Sequence, residues 1–301
     1  MKVLVTGANG LIGPYACQKL ISAGHDVITC GRTVPEDGEL PGRHVTGDLL
    51  DASFRKHLIA SERPDGLIHL AWQTKHGHFW NAPDNPDWSE ASIDLLDRFH
   101  EQGGKRAVLA GSCAEYDWQG IAPGQKLTED ATCNPHTIYG QEKLKLARHC
   151  LDLNAKGAAI AWGRLFLLCG PKEAPARFVP AITRALLAGE TAKMSSGKQI
   201  RDFMHVADAS AAFAKLIDHP FTGLINIASG EGHSLLDVAE TIKSLIGRGT
   251  IAAGSIPDRP DDPPYLVPDT STLTQTVGFR REFDLQAALE NCIEWWQSHP
   301  A

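Results

Sequence analysis

The chain has 301 residues, enough for about two domains or one large α/β unit with a sizeable buried core. Hydrophobic residues make up 43% and charged residues 22%, and the 28 glycines and 18 prolines are spread along the chain, which excludes collagen-like, coiled-coil and disordered classes. The 36 acidic residues outnumber the 29 basic ones and give a net charge of -7, so we expect neither nucleic acid nor a membrane surface as a partner.

The order of the residues excludes further classes. No apolar run approaches the ~20 residues of a membrane-spanning helix, and the apolar segment that follows Met1 is too short for a signal peptide. We therefore expect a cytoplasmic protein. The 7 cysteines include no Cys-x-x-Cys pair, which indicates reduced thiols. His76 and His78 have no carboxylate or cysteine at helical spacing beside them, so no metal site is predicted.

The first predicted elements are a strand at residues 2–6 and a helix that follows a glycine-rich turn and ends at Gly24. Ile12, Ala16 and Leu20 recur every four residues in that helix. Beyond it, short β-like runs alternate with helical patterns, which predicts a parallel sheet covered on both faces. The further strands are expected at 27–30, 67–70, 107–110 and 158–162, with helices at 89–102 and 138–154.

Strands become rare beyond about residue 170, where glycine, proline and aspartate separate the helical patterns. This change predicts a second, smaller lobe of mixed α/β structure. Its helices are expected at 178–188, 206–218, 234–246 and 284–298.

Gly7, Gly10 and Gly13 lie between the first strand and the first helix. In this position glycines let the backbone approach a pyrophosphate, whose charge meets the N-terminus of the helix. The turn therefore predicts a dinucleotide-binding segment, and the alternative is a turn kept for tight packing of strand against helix. The candidate cofactor contacts in it are Gly7, Asn9, Gly10, Leu11, Ile12 and Gly13.

The Gly-x-x-Gly-x-x-Gly spacing that follows Thr6 resembles that of the short-chain dehydrogenase/reductase superfamily. It is most similar to the extended, sugar-nucleotide-modifying branch, which is the NAD-dependent epimerase/dehydratase family. Five further segments resemble motifs of this family in the expected order. They are Gly47-Asp48-Leu49, His69-Leu70-Ala71, Ser112 four residues before Tyr116, Tyr139-x-x-x-Lys143, and Arg201-Asp202-Phe203 followed by Met204-His205-Val206.

The resemblance implies a Rossmann-like, doubly wound parallel sheet that binds NAD(P) in residues 1–170 and a smaller mixed α/β substrate lobe in residues 171–301, with the chain free to cross between them. It also implies a homodimer through a four-helix bundle, formed by the helices at 89–102 and 138–154 of each subunit. Ile93, Leu96 and Phe99 lie at helical spacing on the first of these. The implied cofactor contacts are Asp48, Leu49, Leu70 and Ala71, and the implied catalytic group is Ser112, Tyr139 and Lys143, of which the last two also contact the cofactor.

Tyr139 and Lys143 lie four residues apart on a predicted helix and therefore share a face. An ammonium about 4 Å from a phenol stabilises the phenolate by about 4 kcal/mol at an effective dielectric near 20, which corresponds to a tyrosine pKa lowered by roughly three pH units. We therefore expect Tyr139 to exchange a proton near neutral pH. Ser112, at the end of a predicted strand, would hydrogen-bond the same substrate oxygen. An exposed helix face without chemistry is the alternative for the pair.

The end of the second predicted strand decides between the two nicotinamide cofactors. An acidic side chain there would bind the ribose hydroxyls of NAD and repel a 2′-phosphate. Arg32 follows Gly31 instead, with no acid beside it and with Thr33 as a potential helper. Because arginine pairs well with phosphate, NADP(H) is the predicted cofactor and NAD(H) the alternative. A solvated surface arginine is the other interpretation.

Arg201 and Arg259 are the candidate ligands of a nucleotide-sugar diphosphate, because planar guanidinium groups match phosphate oxygens two at a time and both residues match arginines of the family. Structural salt bridges are the alternative. Trp80 and Trp118, with Trp88, are expected around the sugar pocket, where they would either stack on the substrate or serve as packing aromatics.

The choice of reaction depends on a few positions. Cys113-Ala114 stands where sugar nucleotide dehydratases of the family carry an Asp-Glu pair, which disfavours dehydration, and Leu167 and Glu90 stand where asparagine is usual. Arg32 favours reduction, so we predict an NADPH-dependent reductase of a nucleotide-linked 4-keto-6-deoxy sugar, with Tyr139 as the proton donor. The alternatives are an NAD(P)-dependent sugar nucleotide 4-epimerase and a non-catalytic cofactor-sensing protein.

Overall fold

A computed structural model describes residues 1–34, 40, 42–119 and 121–300. Seven parallel strands form a central sheet in the order β11-β6-β5-β4-β1-β2-β3, and the shorter strands lie in three small sheets. The strands are β1 (Lys2–Thr6), β2 (Asp26–Gly31), β3 (Arg43–Thr46), β4 (Gly66–His69), β5 (Arg106–Ser112), β6 (Ile160–Leu165), β7 (Leu167–Cys169), β8 (Thr191–Lys193), β9 (Ile200–Arg201), β10 (Phe203–His205), β11 (Gly223–Ile227), β12 (His233–Ser234), β13 (Thr250–Ala252) and β14 (Tyr265–Leu266).

Most of the α-helices begin at a side chain that accepts a backbone hydrogen bond or carry a proline in the first turn. Asp51, Thr137, Ser234 and Asp284 each accept a backbone hydrogen bond at the start of a helix, and Pro14 lies in the first turn of another. The helices are α1 (Gly13–Ser22), α2 (Ala52–Glu62), α3 (Asn85–Glu101), α4 (Ile138–Ala155), α5 (Phe178–Leu187), α6 (Val206–Asp218), α7 (Leu235–Ile246) and α8 (Leu285–Ser298).

Helices cover both faces of the central sheet. The buried side chains of α1 and α6 pack on one face, and those of α2, α3 and α4 pack on the other. Every residue of β5 is therefore buried, as expected of a central parallel strand. The prediction of a Rossmann-like, doubly wound parallel sheet is confirmed.

The second lobe has its own core, formed mainly by α5, α7 and α8. Two elements that follow residue 170 belong to the first lobe instead. Helix α6 packs against α1, and β11 forms the edge of the central sheet beside β6, with Leu224 opposite Trp162. The chain thus crosses from the first lobe to the second and back, and the division after residue 170 stays a prediction.

Some of the expectations about individual elements were wrong. Strand β3 and helix α2 were not predicted, because β3 has no fully buried residue and α2 buries only a few. On α3, Leu96 and Phe99 are 1% and 3% exposed and pack against the sheet, so they do not form the subunit-facing surface that was expected of them. Only Ile93 of the three is partly exposed. The homodimer itself stays a prediction.

None of the helices within the described residues is long and apolar enough to cross a membrane. In the same part of the chain, no three histidine, cysteine or acidic side chains are grouped so that they could hold a metal ion. The 7 cysteines are free thiols, and all but Cys133 are buried.

Candidate active site

The sheet extends from β1 in two directions, with β2 and β3 on one side and β4, β5 and β6 on the other. In open α/β sheets, ligands bind in the crevice beyond the carboxyl ends of the strands at such a point. Thr6, His69 and Ser112 are the last residues of β1, β4 and β5. The fold therefore brings residues from three of the predicted motifs to one edge of the sheet.

The glycine-rich turn fits both interpretations, a dinucleotide-binding segment and a turn required for tight packing of strand against helix. Gly7 has a φ of 71°, and a Cβ there would lie 2.7 Å from the amide nitrogen of Ala71. A Cβ on Gly13 would lie 2.3 Å from the carbonyl oxygen of Ala8, so tight packing requires both glycines. Gly10 is exposed, and no described side chain caps α1. The first amides of this helix are thus left to bind an anion such as a pyrophosphate.

The predicted cofactor contacts lie around this turn. The side-chain amide of Asn9 donates a 2.8 Å hydrogen bond to the carbonyl oxygen of Thr33, which joins the turn to the end of β2. Arg32 is exposed, and no ion pair or side-chain hydrogen bond engages it within the described residues. Leu49 and Ala71 are buried, whereas Leu11, Ile12, Asp48 and Leu70 are partly exposed.

A chain of hydrogen bonds runs beneath the crevice. The Thr6 hydroxyl lies 2.7 Å from Nδ1 of His69, and Nε2 of His69 lies 2.8 Å from the hydroxyl of Ser92, which donates to the carbonyl oxygen of Trp88 at 2.6 Å. Nε2 therefore donates and Nδ1 accepts, as in a neutral imidazole. Burial lowers the pKa of His69 to about 3. This neutral histidine connects β1, β4 and α3.

The predicted catalytic residues come together where α4 meets the end of β5. Thr137 caps α4 by accepting a 3.1 Å hydrogen bond from the Gly140 amide. Tyr139 and Lys143 are both buried, and Nζ of Lys143 donates a 2.8 Å hydrogen bond to the carbonyl oxygen of Ala110. The Ser112 hydroxyl is close enough to Tyr139 to lower the pKa of its phenol.

The expectation that Lys143 lowers the pKa of Tyr139 is wrong for this arrangement. Burial raises the pKa of Tyr139 well above its usual value, and Ser112 and Arg177 oppose this only in part. The Lys143 ammonium lies 5.9 Å from the centre of the Tyr139 ring and bonds to Ala110 instead. Burial also lowers the pKa of Lys143, to about 7. The group as it stands holds Tyr139 as a phenol, ready to donate a proton.

Aromatic side chains surround the tyrosine. The ring centres of Phe79, Trp80 and Trp72 lie 4.9, 5.9 and 6.1 Å from that of Tyr139, each nearly perpendicular to it. Trp118 packs edge-on against Trp80 at 5.8 Å. Trp80 and Trp118, two of the three tryptophans predicted around the sugar pocket, thus lie at the predicted catalytic group, and both remain partly exposed. Such faces can stack on a pyranose or a base.

The two predicted diphosphate ligands differ in their surroundings. Arg201 is buried and pairs with Asp262 at 2.6 Å, the structural salt bridge that was left open as an alternative. Burial raises the pKa of Cys113, the neighbour of Ser112, and Arg201 opposes this rise, so Arg201 lies close to the predicted catalytic group. Arg259 is exposed.

Arg177, the residue before α5, was not predicted from the sequence. Its guanidinium carbon lies 5.9 Å from the centre of the Phe79 ring. Burial raises the pKa of Tyr139, and Arg177 opposes this rise. Burial lowers the pKa of His76, and Arg177 and Arg259 add to this lowering. No ion pair engages Arg177 within the described part of the chain, so its charge is available to an anionic substrate. No local pattern marks this residue, because the loop before α5 must fold back to bring it here.

Glu115 was also missed. It is fully buried and directly follows Cys113-Ala114, and its carboxylate accepts a 2.7 Å hydrogen bond from the amide of Ser112. The Ser-x-x-Glu spacing is that of a capping box, which could have drawn attention to it.

Glu90 and Leu167, which stand where asparagine is usual in the family, differ in their exposure. Glu90 is exposed on α3, where its buried neighbours Ser89 and Ser92 face inward, and Leu167 is partly exposed at the start of β7. Trp88 lies behind Trp72, with 6.5 Å between ring centres, and is not among the rings that contact Tyr139. Glu90 and Trp88 therefore lie outside the group of side chains that surrounds the tyrosine.

Comparisons with known proteins agree with this geometry. The model of the NAD dependent epimerase/dehydratase family matches residues 3–228. The UDP-glucose 4-epimerase of Corynebacterium glutamicum is 25% identical over 97% of this chain and 94% of its own. The dTDP-6-deoxy-L-talose 4-dehydrogenase (NAD(+)) of Aggregatibacter actinomycetemcomitans is 27% identical over 80% of this chain and 88% of its own. The structure of MoeE5 in complex with UDP-glucuronic acid and NAD is 27% identical, covers 99% of this chain and 100% of its own, and has a TM-score of 0.85.

Proposed function

The chain belongs to the NAD dependent epimerase/dehydratase family, and from this membership we propose that it is an NAD(P)-dependent 4-epimerase of a nucleoside diphosphate sugar. The observation that carries the proposal is the placement of Ser112 and Tyr139 beside each other at the edge of the sheet where the glycine-rich turn opens. The UDP-glucose 4-epimerase among the relatives supports it, and so does the Cys113-Ala114 sequence, which lacks the acid pair of a dehydratase.

The residues fit a nicotinamide dinucleotide. The uncapped N-terminus of α1 and the exposed Gly10 suit a pyrophosphate, and Asn9 and Arg32 lie where the adenosine ribose would follow. The MoeE5 structure, which contains NAD, supports this choice of cofactor class. A bound nicotinamide would supply the hydride acceptor and donor that epimerisation at C4 needs. The NADP(H) preference based on Arg32 is a separate proposal, tested below.

The side chains of the crevice would handle the proton and the charge. Tyr139 would exchange the proton of the sugar 4-hydroxyl, while Ser112 holds the same oxygen by a hydrogen bond. Arg177 would favour the phenolate when Tyr139 acts as a base, and burial would favour the phenol when it acts as an acid. The Lys143 ammonium would contact the cofactor. Arg177, Arg201 and Arg259 would bind the diphosphate, and Trp80 and Trp118 the sugar.

The reductase predicted from the sequence remains the second candidate. One observation favours it, namely the 27% identity to a dTDP-6-deoxy-L-talose 4-dehydrogenase, which acts at the same carbon of a 6-deoxy sugar nucleotide. An epimerase removes and returns one hydride at that carbon, whereas a reductase consumes NAD(P)H. The two functions are therefore distinguished by the balance of the cofactor.

The test is a set of incubations of the purified protein with UDP-glucose, UDP-galactose, UDP-glucuronic acid and their dTDP counterparts, with NAD or NADP added. We expect the 4-epimer to form without net change at 340 nm, and a deuterium at C4 of the substrate to stay at C4 of the product. Tyr139→Phe is the inactive control. Stoichiometric loss of NADPH with a 4-keto-6-deoxy sugar nucleotide, and no epimer from any sugar, would establish the reductase instead.

A further inference from the structure

We propose that Glu115 is a positioning residue of the catalytic group, whose carboxylate fixes Ser112 and provides the counter-charge for Lys143. The proposal deepens the proposed function, because it rests on the assignment of Ser112, Tyr139 and Lys143 as the catalytic residues. Glu115 is fully buried in the short turn that follows β5, three residues after Ser112.

The first part of the proposal concerns the turn that carries Ser112. One carboxylate oxygen of Glu115 accepts a 2.7 Å hydrogen bond from the amide of Ser112, and the Ser112 hydroxyl accepts a 3.1 Å hydrogen bond from the amide of Ala114. These bonds form a capping box around the short 3-10 turn Cys113–Glu115. The two hydrogen bonds therefore fix both the backbone amide and the hydroxyl of Ser112 at the end of β5.

Strand β6 holds the carboxylate from the other side. The indole nitrogen of Trp162 lies 3.0 and 3.1 Å from its two oxygens, and Nε of Arg164 donates to one of them at 2.7 Å. Trp162 and Arg164 are two residues apart on one strand, so their side chains point to the same face. A Cβ on Gly111 would lie 2.7 Å from the Glu115 carboxylate and 2.2 Å from the Trp162 indole nitrogen, so this residue must stay a glycine for Glu115 to reach back.

The remaining donors of Arg164 are engaged by other groups. Nη1 donates to the carbonyl oxygen of Glu129 at 2.9 Å, and Nη2 contacts the thiol of Cys133 at 3.2 Å. Arg164 and Glu115 are 1% and 0% exposed as side chains. A buried ion pair of this kind is often no more stabilising than apolar residues of the same size, because both charges lose their water. Its place under the catalytic group suggests a role beyond stability.

The second part of the proposal concerns the charge of Lys143. Burial lowers the pKa of Lys143, and Glu115 is the main group that opposes this, followed by Cys150 on α4. The other groups that face the ammonium are the ring of Trp72 at 3.8 Å, the carbonyl oxygen of Ala110, and His69. The rings of Tyr139 and Trp162 lie farther away, each with its centre 5.9 Å from the ammonium. None of these carries a negative charge at neutral pH. Without the Glu115 carboxylate, the ammonium would therefore lose its proton at a lower pH.

The test compares Glu115→Gln, which keeps the shape and removes the charge, with Glu129→Gln as the matched control. Glu129 contacts the same arginine through its backbone, and its carboxylate accepts from the amide of Asn226 instead of Ser112. The pKa of Lys143 is followed by NMR of protein with ¹³Cε-labelled lysine, with Lys143→Met to assign the signal. We expect the pKa of Lys143 to fall by about one pH unit or more in Glu115→Gln and to stay unchanged in Glu129→Gln.

The same variants are compared in the epimerase assay over a range of pH. If the pKa of Lys143 falls by about one unit, the ratio of wild-type to Glu115→Gln kcat rises with pH, approaching about tenfold more at pH 8 than at pH 5. If Glu115 had a purely structural role, the ratio of the two kcat values would be the same at all pH values. An unchanged Lys143 pKa together with a flat ratio would overturn the proposal.

Two further results keep the proposal testable. Glu115→Asp retains the charge but pulls the carboxylate away from Ser112, so we expect an unchanged Lys143 pKa and a lowered kcat. A wild-type kcat in this variant would overturn the positioning role. This result is decisive even if Glu115→Gln fails to fold. The NMR titration needs no substrate. A lowered Lys143 pKa in a protein without epimerase activity would therefore support the counter-charge role while contradicting the proposed function.

Discussion

The ammonium of Lys143 lies 3.8 Å from the ring centre of Trp72. Trp72 follows the end of β4 and is held in place by its indole nitrogen, which donates a 2.9 Å hydrogen bond to the side chain of Asn85. The face of an indole attracts a cation that has lost its water, most strongly in a buried site. We therefore expect the pKa of Lys143 to depend on a residue outside the Tyr-x-x-x-Lys motif.

Replacing this ring tests the dependence. Trp72→Leu is expected to lower the pKa of Lys143 by about 0.4–1.5 pH units, which corresponds to a cation–π contact of about 0.5–2 kcal/mol. Trp72→Phe keeps an aromatic face and should retain much of the effect. The ¹³Cε lysine titration measures both. Equal pKa values in the leucine and phenylalanine variants would show that the ring contributes by excluding water alone.

Loss of the phenol at residue 139 should remove turnover and spare the cofactor. Tyr139→Phe deletes only the group that exchanges the proton, so kcat is expected to fall by about 10²–10⁴-fold. The affinity for NAD, measured by calorimetry, should change little, because the ring and its contacts with Phe79 and Trp72 remain. Turnover within tenfold of wild type would contradict the role given to this residue.

Much of the fold could be predicted because its strands are apolar on both faces. Residues 2–6 read as a strand and match β1, and the glycine turn and helix that follow it were expected in this order. Strand β11 was not predicted, since a five-residue segment between polar loops carries no sign that it pairs with β6, over 50 residues earlier in the chain. Long-range pairing of this kind depends on the tertiary structure and leaves no local pattern.

The candidate site could be predicted only as far as its motifs extend. Ser112, Tyr139 and Lys143 belong to spacings that the sequence displays, whereas Arg177 reaches the tyrosine only through the folded loop before α5. The electrostatics were the weaker part, because the expected effect of Lys143 on Tyr139 assumed a short distance and ignored burial. In the structure, burial outweighs the neighbouring cations and raises the pKa of Tyr139.

The neutral His69 makes stability depend on acid pH. Its pKa is lowered to about 3 in the folded protein, whereas an exposed histidine titrates near 6.5. Between these values the unfolded chain binds a proton that the folded protein does not, so stability falls as the pH drops from about 6.5 towards 3, by about 1.4 kcal/mol per pH unit.

The comparison variant for this effect is His69→Gln, which has no titrating group but can still bond to Thr6 and Ser92. Urea unfolding at about pH 7, 5.5 and 4 should show a smaller loss of stability for this variant than for the wild type over the same interval. Parallel losses in the two proteins would mean that His69 is protonated in the folded state or titrates normally there.

We expect cofactor selectivity to depend on Arg32 at the end of β2, which is exposed and forms no ion pair with any described residue. If its guanidinium binds the 2′-phosphate, it provides charge-assisted hydrogen bonds of about 1.5–3 kcal/mol, so Arg32→Ala should raise the Kd for NADPH by roughly ten- to a hundredfold. The Kd for NADH should barely change, because that cofactor has no 2′-phosphate.

An acid at the preceding position should reverse the preference. A Cβ on Gly31 would lie 3.5 Å from the His44 ring and 3.7 Å from the Asn9 amide, which is ordinary contact, so Gly31→Asp can be accommodated. Combined with Arg32→Ala, it would accept hydrogen bonds from the ribose hydroxyls and repel the phosphate, which favours NADH. Titration of both cofactors into the wild type and the two variants measures this. Equal affinity of the wild type for NADH and NADPH, or an Arg32→Ala protein that still prefers NADPH, would assign Arg32 to the solvated surface and remove the argument for NADP(H).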